Sequence, residues 1–233
     1  MTWVKICGMT NLEDALTAVA AGADAVGFVF YEKSPRCVSV ETVTEIVAKL
    51  PESIETVGVF SGEPREVEMA LHSGVDAAQT YPRPLSGPLH PHTADHMSRF
   101  NRLKRYLGMS YTTFVGETFA KQNLDGIAAG ELRGFWDGFD ALFVDSGNAL
   151  LPGGTGKVFD WREAAPAFKI LNRRLRVVVA GGLNPNNVGE AISILQPWGV
   201  DVVSGVEASP GKKDAEKVRA FVRAVREMDR KVS

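Results

Sequence analysis

Short apolar runs alternate along the chain with longer segments in which apolar residues recur every three or four positions. Residues 25–30, Ala-Val-Gly-Phe-Val-Phe, are apolar throughout, which is typical of a parallel strand buried on both faces. Leu12, Ala15 and Val19 instead share one side of a helix. The alternation persists from end to end without a linker-like change in composition, so the pattern predicts repeated βα units.

The pattern predicts eight strands and eight helices. The strands lie at residues 3–6, 25–30, 56–60, 76–79, 111–115, 141–145, 176–180 and 200–204. The helices lie at residues 10–21, 39–50, 65–73, 96–107, 124–135, 160–171, 185–195 and 214–228. Eight βα units in 233 residues predict an α/β fold, a single (β/α)8 TIM barrel over residues 1–233. An irregular Pro-rich segment at about 81–95 interrupts it.

A doubly wound parallel sheet is the alternative to the barrel. That fold usually carries a dinucleotide-binding glycine fingerprint after its first strand. Gly8 stands alone at this position, so the pattern favours the barrel and predicts no nucleotide cofactor.

Composition and charge narrow the class of protein. Hydrophobic residues make up 45% of the chain and charged residues 23%, and the net charge is −2, which is ordinary for a soluble globular protein. We therefore expect no nucleic-acid or membrane partner. Two cysteines thirty residues apart have neither disulfide-framework nor metal-ligand spacing. No secretory signal or membrane-length apolar run is present, and we expect a cytoplasmic protein.

The end of the first predicted strand carries the first candidate for chemistry. Residues 3–6 lead directly to Cys7, and Gly8 permits a turn. Thr10 and Glu13 have capping-box spacing, which predicts that a helix begins there. The thiol would lie at the C-terminal end of a strand, where parallel α/β folds place their active sites. A buried cysteine acting as a small hydrophobe is the alternative.

The remaining candidates follow later predicted strands. Arg36 follows the second strand, where a guanidinium suits a carboxylate, although a solvated arginine is the commoner case. Gln79 ends the fourth strand, and Asp145 ends the apolar sixth strand, where an acid is unusual. Phosphate sites in this fold use glycine-rich loops near the last strands, which also serve as ordinary turns. The glycine-rich candidates are Gly153, Gly154, Gly156, Gly181, Gly182, Ser204 and Gly205.

Together these residues place a thiol, a carboxyl group, an arginine and a phosphate site around one barrel mouth. A base and an acid without a cofactor motif suggest proton-transfer chemistry on a sugar phosphate. The four histidines show no metal-ligand spacing, so we expect neither a cofactor nor a metal.

The chain resembles the phosphoribosylanthranilate isomerase family of tryptophan biosynthesis in stretches that occur in order over nearly its whole length. The early stretches are Lys5-Ile6-Cys7-Gly8-Met9-Thr10, Gly27-Phe28-Val29-Phe30 with Ser34-Pro35-Arg36, and Val57-Gly58-Val59-Phe60. The later stretches are Phe143-Val144-Asp145-Ser146, Gly153-Gly154-Thr155-Gly156-Lys157 with Phe159-Asp160-Trp161, Ala180-Gly181-Gly182-Leu183 with Asn187-Val188, and Ser204-Gly205-Val206-Glu207.

The resemblance implies an Amadori rearrangement, in which an aldose N-glycoside becomes an aminoketose. Asp145 would be the general acid that protonates the ribose ring oxygen, and Cys7 the general base that takes the C2′ proton. Arg36 would hold the anthranilate carboxylate. The phosphate would be held by backbone groups near Gly154, Gly182 and Gly205.

These implied roles require the pKa values of both Cys7 and Asp145 to differ from those of the free groups. A free thiol has a pKa of about 8.5 and a free aspartic acid of about 3.9, which is the wrong order for a base and an acid at neutral pH. We expect the nearby helix N-terminus to lower the pKa of Cys7. Apolar walls and the negative substrate would raise that of Asp145.

One segment departs from the family pattern. The family usually carries Gln-Leu-His-Gly after the fourth strand, whereas here Gln79 is followed by Thr80-Tyr81-Pro82. The histidine is absent, and Tyr81 is the candidate replacement for its substrate contact. This departure also motivates a second hypothesis, a barrel that binds a phosphorylated ligand without turnover.

A third hypothesis is the related aldose–ketose isomerase of histidine biosynthesis, whose barrel resembles this one but uses two aspartates. Cys7 at the end of the first strand counts against it. In each case the expected partner is a small phosphorylated molecule. A homodimer remains open as the alternative to a monomer.

Overall fold

The computed structural model describes residues 1–61, 64–81, 103–111, 138–146 and 158–232. Its eight main strands pair side by side, each parallel to the next, and β1 pairs with β8 to close the barrel. The bounds are β1 Trp3–Cys7, β2 Ala25–Val29, β3 Glu55–Phe60, β4 Ala77–Thr80, β5 Lys104–Ser110, β6 Ala141–Asp145, β7 Val177–Val179 and β8 Gly199–Val202. The predicted (β/α)8 barrel is confirmed.

Six helices lie within the described residues. In chain order they are α1 Leu12–Ala21, α2 Val40–Val47, α3 Pro64–His72, α4 Trp161–Leu171, α5 Val188–Leu195 and α6 Ala215–Val232. None of the described helices is long and apolar enough to cross a membrane. The predicted helix at 124–135 lies outside the described residues, as do residues 82–95 of the Pro-rich segment.

The first helix begins one residue later than the capping-box spacing predicted. Asn11, not Thr10, is the N-cap, and its side-chain oxygen accepts a hydrogen bond of 2.8 Å from the backbone N–H of Asp14. Thr10 instead donates its hydroxyl to the carbonyl of Gly211, 2.6 Å away. A long-range contact therefore takes the residue that local spacing assigned to the cap.

The fifth strand was predicted in the wrong place. Residues 104–110 form β5, whereas the sequence pattern predicted a helix over 96–107 and a strand over 111–115. Tyr106 to Met109 are all buried, because both faces of a barrel strand are covered. Lys104 and Arg105 begin the strand, however, and the apolar run after them is short, so the sequence did not mark it as a strand. Residues 96–102 and 112–115 lie outside the described residues.

Aromatic side chains fill the N-terminal half of the barrel interior. Trp3 meets Tyr106 and Phe143 edge to face, at ring-centroid distances of 6.3 and 6.1 Å. The Tyr106 hydroxyl donates to Glu55 at the same end. This packing fills the barrel interior at its N-terminal end, and the cavity inside the barrel opens at the C-terminal end of the strands.

A small hairpin follows the last barrel strand. Residues 204–206 form one turn of 3-10 helix, and strands β9 Glu207–Ser209 and β10 Lys212–Lys213 pair antiparallel. The backbone N–H of Lys213 donates to Asp14 in α1, 2.8 Å away. This contact holds the hairpin beside the end of β1, next to Cys7.

Candidate active site

Cys7 lies where the sequence placed it, at the C-terminal end of β1. It is 4% exposed and forms no disulfide. The adjoining turn is closed by Gly8 and Met9, whose N–H groups both donate to the carbonyl of Gly27 over 2.9 Å. Gly8 has a φ of 81°, a left-handed conformation that favours glycine. The thiol is therefore set in a tight turn with a defined direction.

A buried ion pair lies directly below the thiol. Lys5 is fully buried, and its Nζ donates to Asp201 of β8 over 3.0 Å. A β-carbon on Gly27 would come within 2.6 Å of the Cys7 Sγ and 2.9 Å of the Lys5 Cε. Only a glycine at this position of β2 leaves room for both side chains, which lie next to each other in the barrel.

The pKa of Cys7 is raised, and the expectation of a helix-lowered thiol pKa is wrong. Burial is the largest cause, and the negative charge of Asp201 adds to it, while Lys5 acts in the opposite direction. α1 begins only at Leu12, beyond the turn that encloses the thiol. Within the buried site, the cation that favours the thiolate is supplied by Lys5 rather than by a helix terminus.

The pKa of Lys5 is itself raised. Burial alone would lower it, but Asp201 and Cys7 outweigh that effect. Lys5 therefore carries its positive charge inside the barrel. The sequence left open whether this side chain pointed inward, and the structure resolves the question.

Arg36 is held in place by a second buried carboxylate. Its Nε and Nη2 donate to the two oxygens of Glu207 over 2.8 and 2.7 Å. The stem of Arg36 lies across Gly8, where a β-carbon would be 2.8 Å from its Cδ. A guanidinium has five N–H donors, and within the described contacts only two are taken. The rest remain for a ligand.

Lys213 completes this network from the hairpin. Its Nζ donates to Glu207 over 3.2 Å and to the carbonyl of Cys7 over 2.6 Å. Burial raises the pKa of Glu207, but Arg36 and Lys213 outweigh it, so that the pKa lies below its usual value. Burial lowers the pKa of Lys213. The chain of contacts joins the Arg36 guanidinium to the backbone of Cys7.

Gln79 and Asp145 face the same cavity from β4 and β6. Gln79 is 1% exposed and Asp145 is 5% exposed. The cavity at the barrel mouth is lined by Cys7, Arg36, Gln79, Tyr81, Asp145 and Asp201, with residues of the loop after β2. The structure thus brings together the four side chains that the sequence singled out from different strands.

The glycine candidates lie at the ends of β7 and β8. Gly181 and Gly182 have φ values of 80° and 66°, and no described residue accepts a hydrogen bond from their N–H groups. Gly205 packs against the carbonyl of Leu183, which a β-carbon would approach to 1.9 Å. Ser204 opens the 3-10 turn beside it. Gly153, Gly154 and Gly156 lie outside the described residues.

Three buried charged residues were not recognised as site candidates from the sequence, namely Asp201, Glu207 and Lys213. A sequence signal existed, since a charged residue inside or beside an apolar strand must be paired or functional. Asp201 interrupts residues 200–203 in this way. Their partners lie up to 206 residues away, however, so spacing could not identify the pairs. Among the described residues no cluster of side chains could hold a metal ion.

The Glu207 network predicts an acid-sensitive stability. Because the folded pKa of Glu207 lies below its usual value, this carboxylate stabilises the protein above its unfolded pKa, and the contribution is lost as the pH falls. We expect Glu207→Gln to lower the free energy of unfolding at pH 7 by about 3 kcal/mol. We also expect it to flatten the fall in stability between neutral and acidic pH, measured by urea denaturation.

Glu45→Gln is the matched control, since Glu45 is an exposed residue of α2. It should leave both the stability and its pH dependence near those of the wild type. If Glu207→Gln and the wild type lost stability equally at acidic pH, Glu207 would not be the source of the acid sensitivity.

Comparison with known proteins agrees with this geometry. The family model for N-(5′-phosphoribosyl)anthranilate (PRA) isomerase matches residues 4–80 and 115–224. The unmatched stretch between them begins at Tyr81, where the sequence departs from the family pattern. The N-(5′-phosphoribosyl)anthranilate isomerase of Chlorobaculum parvum is 40% identical, over 99% of this chain and 97% of its own length.

Solved structures show the same similarity. A phosphoribosyl anthranilate isomerase in complex with reduced 1-(o-carboxyphenylamino)-1-deoxyribulose 5-phosphate superposes with a TM-score of 0.73 and 33% identity, over 97% of this chain and all of its own. Engineered monomers of the dimeric Thermotoga maritima isomerase give a TM-score of 0.74 and 33% identity over the same shares. With the barrel, the mouth residues and the matched sequence in agreement, the chain belongs to the N-(5′-phosphoribosyl)anthranilate isomerase family.

Proposed function

We propose that Cys7 and Asp145 are the base and the acid of the reaction that this chain catalyses. That reaction is the isomerisation of N-(5′-phosphoribosyl)anthranilate to 1-(2-carboxyphenylamino)-1-deoxyribulose 5-phosphate in tryptophan biosynthesis. One observation carries the proposal. A thiol from β1 and a carboxyl group from β6, both almost fully buried, line the same cavity at the barrel mouth.

The first step opens the sugar ring. Asp145 donates a proton to the ribose ring oxygen, the bond between C1′ and that oxygen breaks, and a Schiff base forms between C1′ and the anthranilate nitrogen. Asp145 lies at the end of an entirely buried strand. A carboxyl group in such surroundings is suited to carry a proton to the substrate.

The second step removes a proton from C2′. Cys7 takes this proton, the electrons move through C1′ to the nitrogen, and the resulting enolamine tautomerises to the aminoketose. Burial of the thiol works against its ionisation, and the charge of Lys5 works for it. We propose Lys5 as the positioning residue, whose positive charge limits the rise in the pKa of Cys7 that burial causes.

Substrate binding divides between the two sides of the mouth. Arg36 has N–H donors left after its contacts with Glu207, and they suit the anthranilate carboxylate. The backbone N–H groups of Gly181 and Gly182 suit the phosphate. We propose the same role for Ser204 and Gly205, and for Gly153, Gly154 and Gly156, while Gln79 contacts the sugar between the two ends.

We further propose that residues 1–233 form one barrel domain and that the protein works in the cytoplasm. The matched family model, which spans residues 4–80 and 115–224, supports the first statement. The composition and the lack of a disulfide between the two cysteines support the second. No cofactor is needed, because the steps above consist of proton transfers and of bond changes within the substrate.

The catalytic pair is tested by turnover. Cys7→Ser and Asp145→Asn should each lower kcat/KM by roughly 10²- to 10⁴-fold, because each removes one proton-transfer group. The measurement is the loss of anthranilate fluorescence with freshly prepared phosphoribosylanthranilate. Cys37→Ser is the matched control, since Cys37 is the second cysteine of the chain, forms no disulfide and does not line the cavity. A Cys7→Ser variant as active as Cys37→Ser would exclude Cys7 as the base.

The role of Lys5 is tested by the pH dependence of kcat/KM. The thiol must be ionised to act as base, so activity should rise with pH through the raised pKa of Cys7. Lys5→Met removes the cation that favours the thiolate, and the rising limb should move to higher pH, with activity at pH 7 reduced about tenfold or more. An unshifted limb in a folded Lys5→Met variant would show that Lys5 does not tune the thiol.

We also propose a homodimer, on the strength of the dimeric Thermotoga maritima relative. One chain has a mass of 25.2 kDa, so light scattering on the purified protein should give twice that value. A mass of one chain across the micromolar range would rule the dimer out.

A further inference from the structure

Tyr81 directly follows β4, at the place where the family usually carries a histidine after Gln-Leu. Its ring lies against Gly108 of β5, where a β-carbon would be 2.5 Å from both the Cε1 and the Cζ of the tyrosine. Gly108 therefore provides the space that this larger side chain needs. As a result, the phenol is directed into the barrel mouth and lines the cavity with Cys7 and Asp145.

The Tyr81 hydroxyl is paired with Gln79. The Nε2 of Gln79 donates to the Tyr81 hydroxyl over 2.9 Å. This bond occupies a lone pair of the phenol and leaves the phenolic hydrogen to be donated elsewhere. The two side chains thus form a small hydrogen-bonded unit inside the mouth.

Gln79 presents an unused acceptor in the same place. Its side chain is 1% exposed, and its Oε1 is buried without a hydrogen-bond partner among the described residues. Leaving a buried polar atom unpaired is costly, and such an atom in a cavity indicates a ligand. The pair offers one donor and one acceptor side by side, whichever way the amide of Gln79 is turned.

The charge environment keeps the phenol protonated. Burial raises the pKa of Tyr81 well above its ordinary value, and the negative charges of Asp145, Asp201 and Cys7 raise it further. The hydroxyl therefore remains a hydrogen-bond donor at neutral pH. The same three groups border the space in which the proposed chemistry takes place.

A donor beside an acceptor is the complement of a sugar hydroxyl, which both accepts and donates a hydrogen bond. We propose that Tyr81 is a substrate-binding residue of this chain and that, together with Gln79, it binds a ribose hydroxyl of the phosphoribosyl substrate. The inference rests on the proposed function of the mouth. It assigns to Tyr81 the contact that the absent histidine leaves open.

The first test is Tyr81→Phe, which removes the hydroxyl and keeps the ring against Gly108. We expect kcat/KM for phosphoribosylanthranilate to fall about 10- to 100-fold, as for the loss of a buried hydrogen bond. Tyr106→Phe is the matched control, because it removes a buried hydroxyl at the opposite end of the barrel, and it should keep activity within about twofold of the wild type. Equal activities of the two variants would overturn the proposal.

Binding measurements separate a sugar contact from general damage to the site. Two probes are titrated by calorimetry. One is the product analogue, reduced 1-(o-carboxyphenylamino)-1-deoxyribulose 5-phosphate, and the other is inorganic phosphate. Tyr81→Phe should weaken the analogue about tenfold or more and leave the affinity for phosphate unchanged. Equal weakening of both probes would overturn the proposal, since a sugar contact cannot act on free phosphate.

A double-mutant cycle with Gln79→Leu distinguishes two roles of Tyr81. Either Tyr81 contacts the substrate directly, or it only holds the side chain of Gln79 in place. If Tyr81 binds the substrate, Tyr81→Phe should lower kcat/KM by a further fivefold or more in the Gln79→Leu background. No further loss would show that Tyr81 acts only by holding the amide, and the proposal would fall. A wild-type protein without turnover would instead refute the function proposed for the mouth.

Discussion

The ion pair between Lys5 and Asp201 joins the first strand of the barrel to the last and determines the electrostatics of the mouth. Lys5 and Asp201 are register partners of β1 and β8, so their contact crosses the junction at which the barrel closes. Both side chains are almost fully buried. Removing one partner of such a pair costs about 3–5 kcal/mol. The contact between β1 and β8 that closes the barrel is therefore stabilised only while both charged side chains are present.

The two members of this pair act in opposite directions on the buried thiol, since Lys5 favours the Cys7 thiolate and Asp201 disfavours it. Burial raises the pKa of Cys7, and a thiol in a purely apolar mouth would stay protonated. Lys5 lies beside it only because Gly27 has no side chain to fill the space. The missing β-carbon on β2 thus leaves room for a buried cation next to the thiol. A second carboxylate, Glu207, similarly orients Arg36 and is itself held by Lys213.

Much of the fold follows from local pattern, and its errors have identifiable causes. Seven of the strands were predicted within a few residues of their observed bounds, because parallel barrel strands are continuous apolar runs and the amphipathic segments between them are distinct. The fifth failed because residues 104–110 combine charged residues at one end with a short apolar run. The prediction of Thr10 as the helix N-cap was wrong because its hydroxyl donates a hydrogen bond to the carbonyl of Gly211, about two hundred residues away. Rules that use only neighbouring residues cannot include such a contact.

The sequence by itself determined the repeated βα pattern and the departure at Tyr81. It also determined the positions of Cys7, Gln79 and Asp145 at strand ends and of Arg36 in the loop after the second strand. These follow from periodicity and from the rule that ligands bind at the C-terminal ends of parallel strands. Tertiary structure alone decided that Lys5 points inward and pairs with Asp201, and that Glu207 pairs with Arg36 and Lys213. It also decided that the pKa of the Cys7 thiol is raised. Burial and pairing depend on which distant residues meet inside the barrel. That information is absent from any single stretch of the chain.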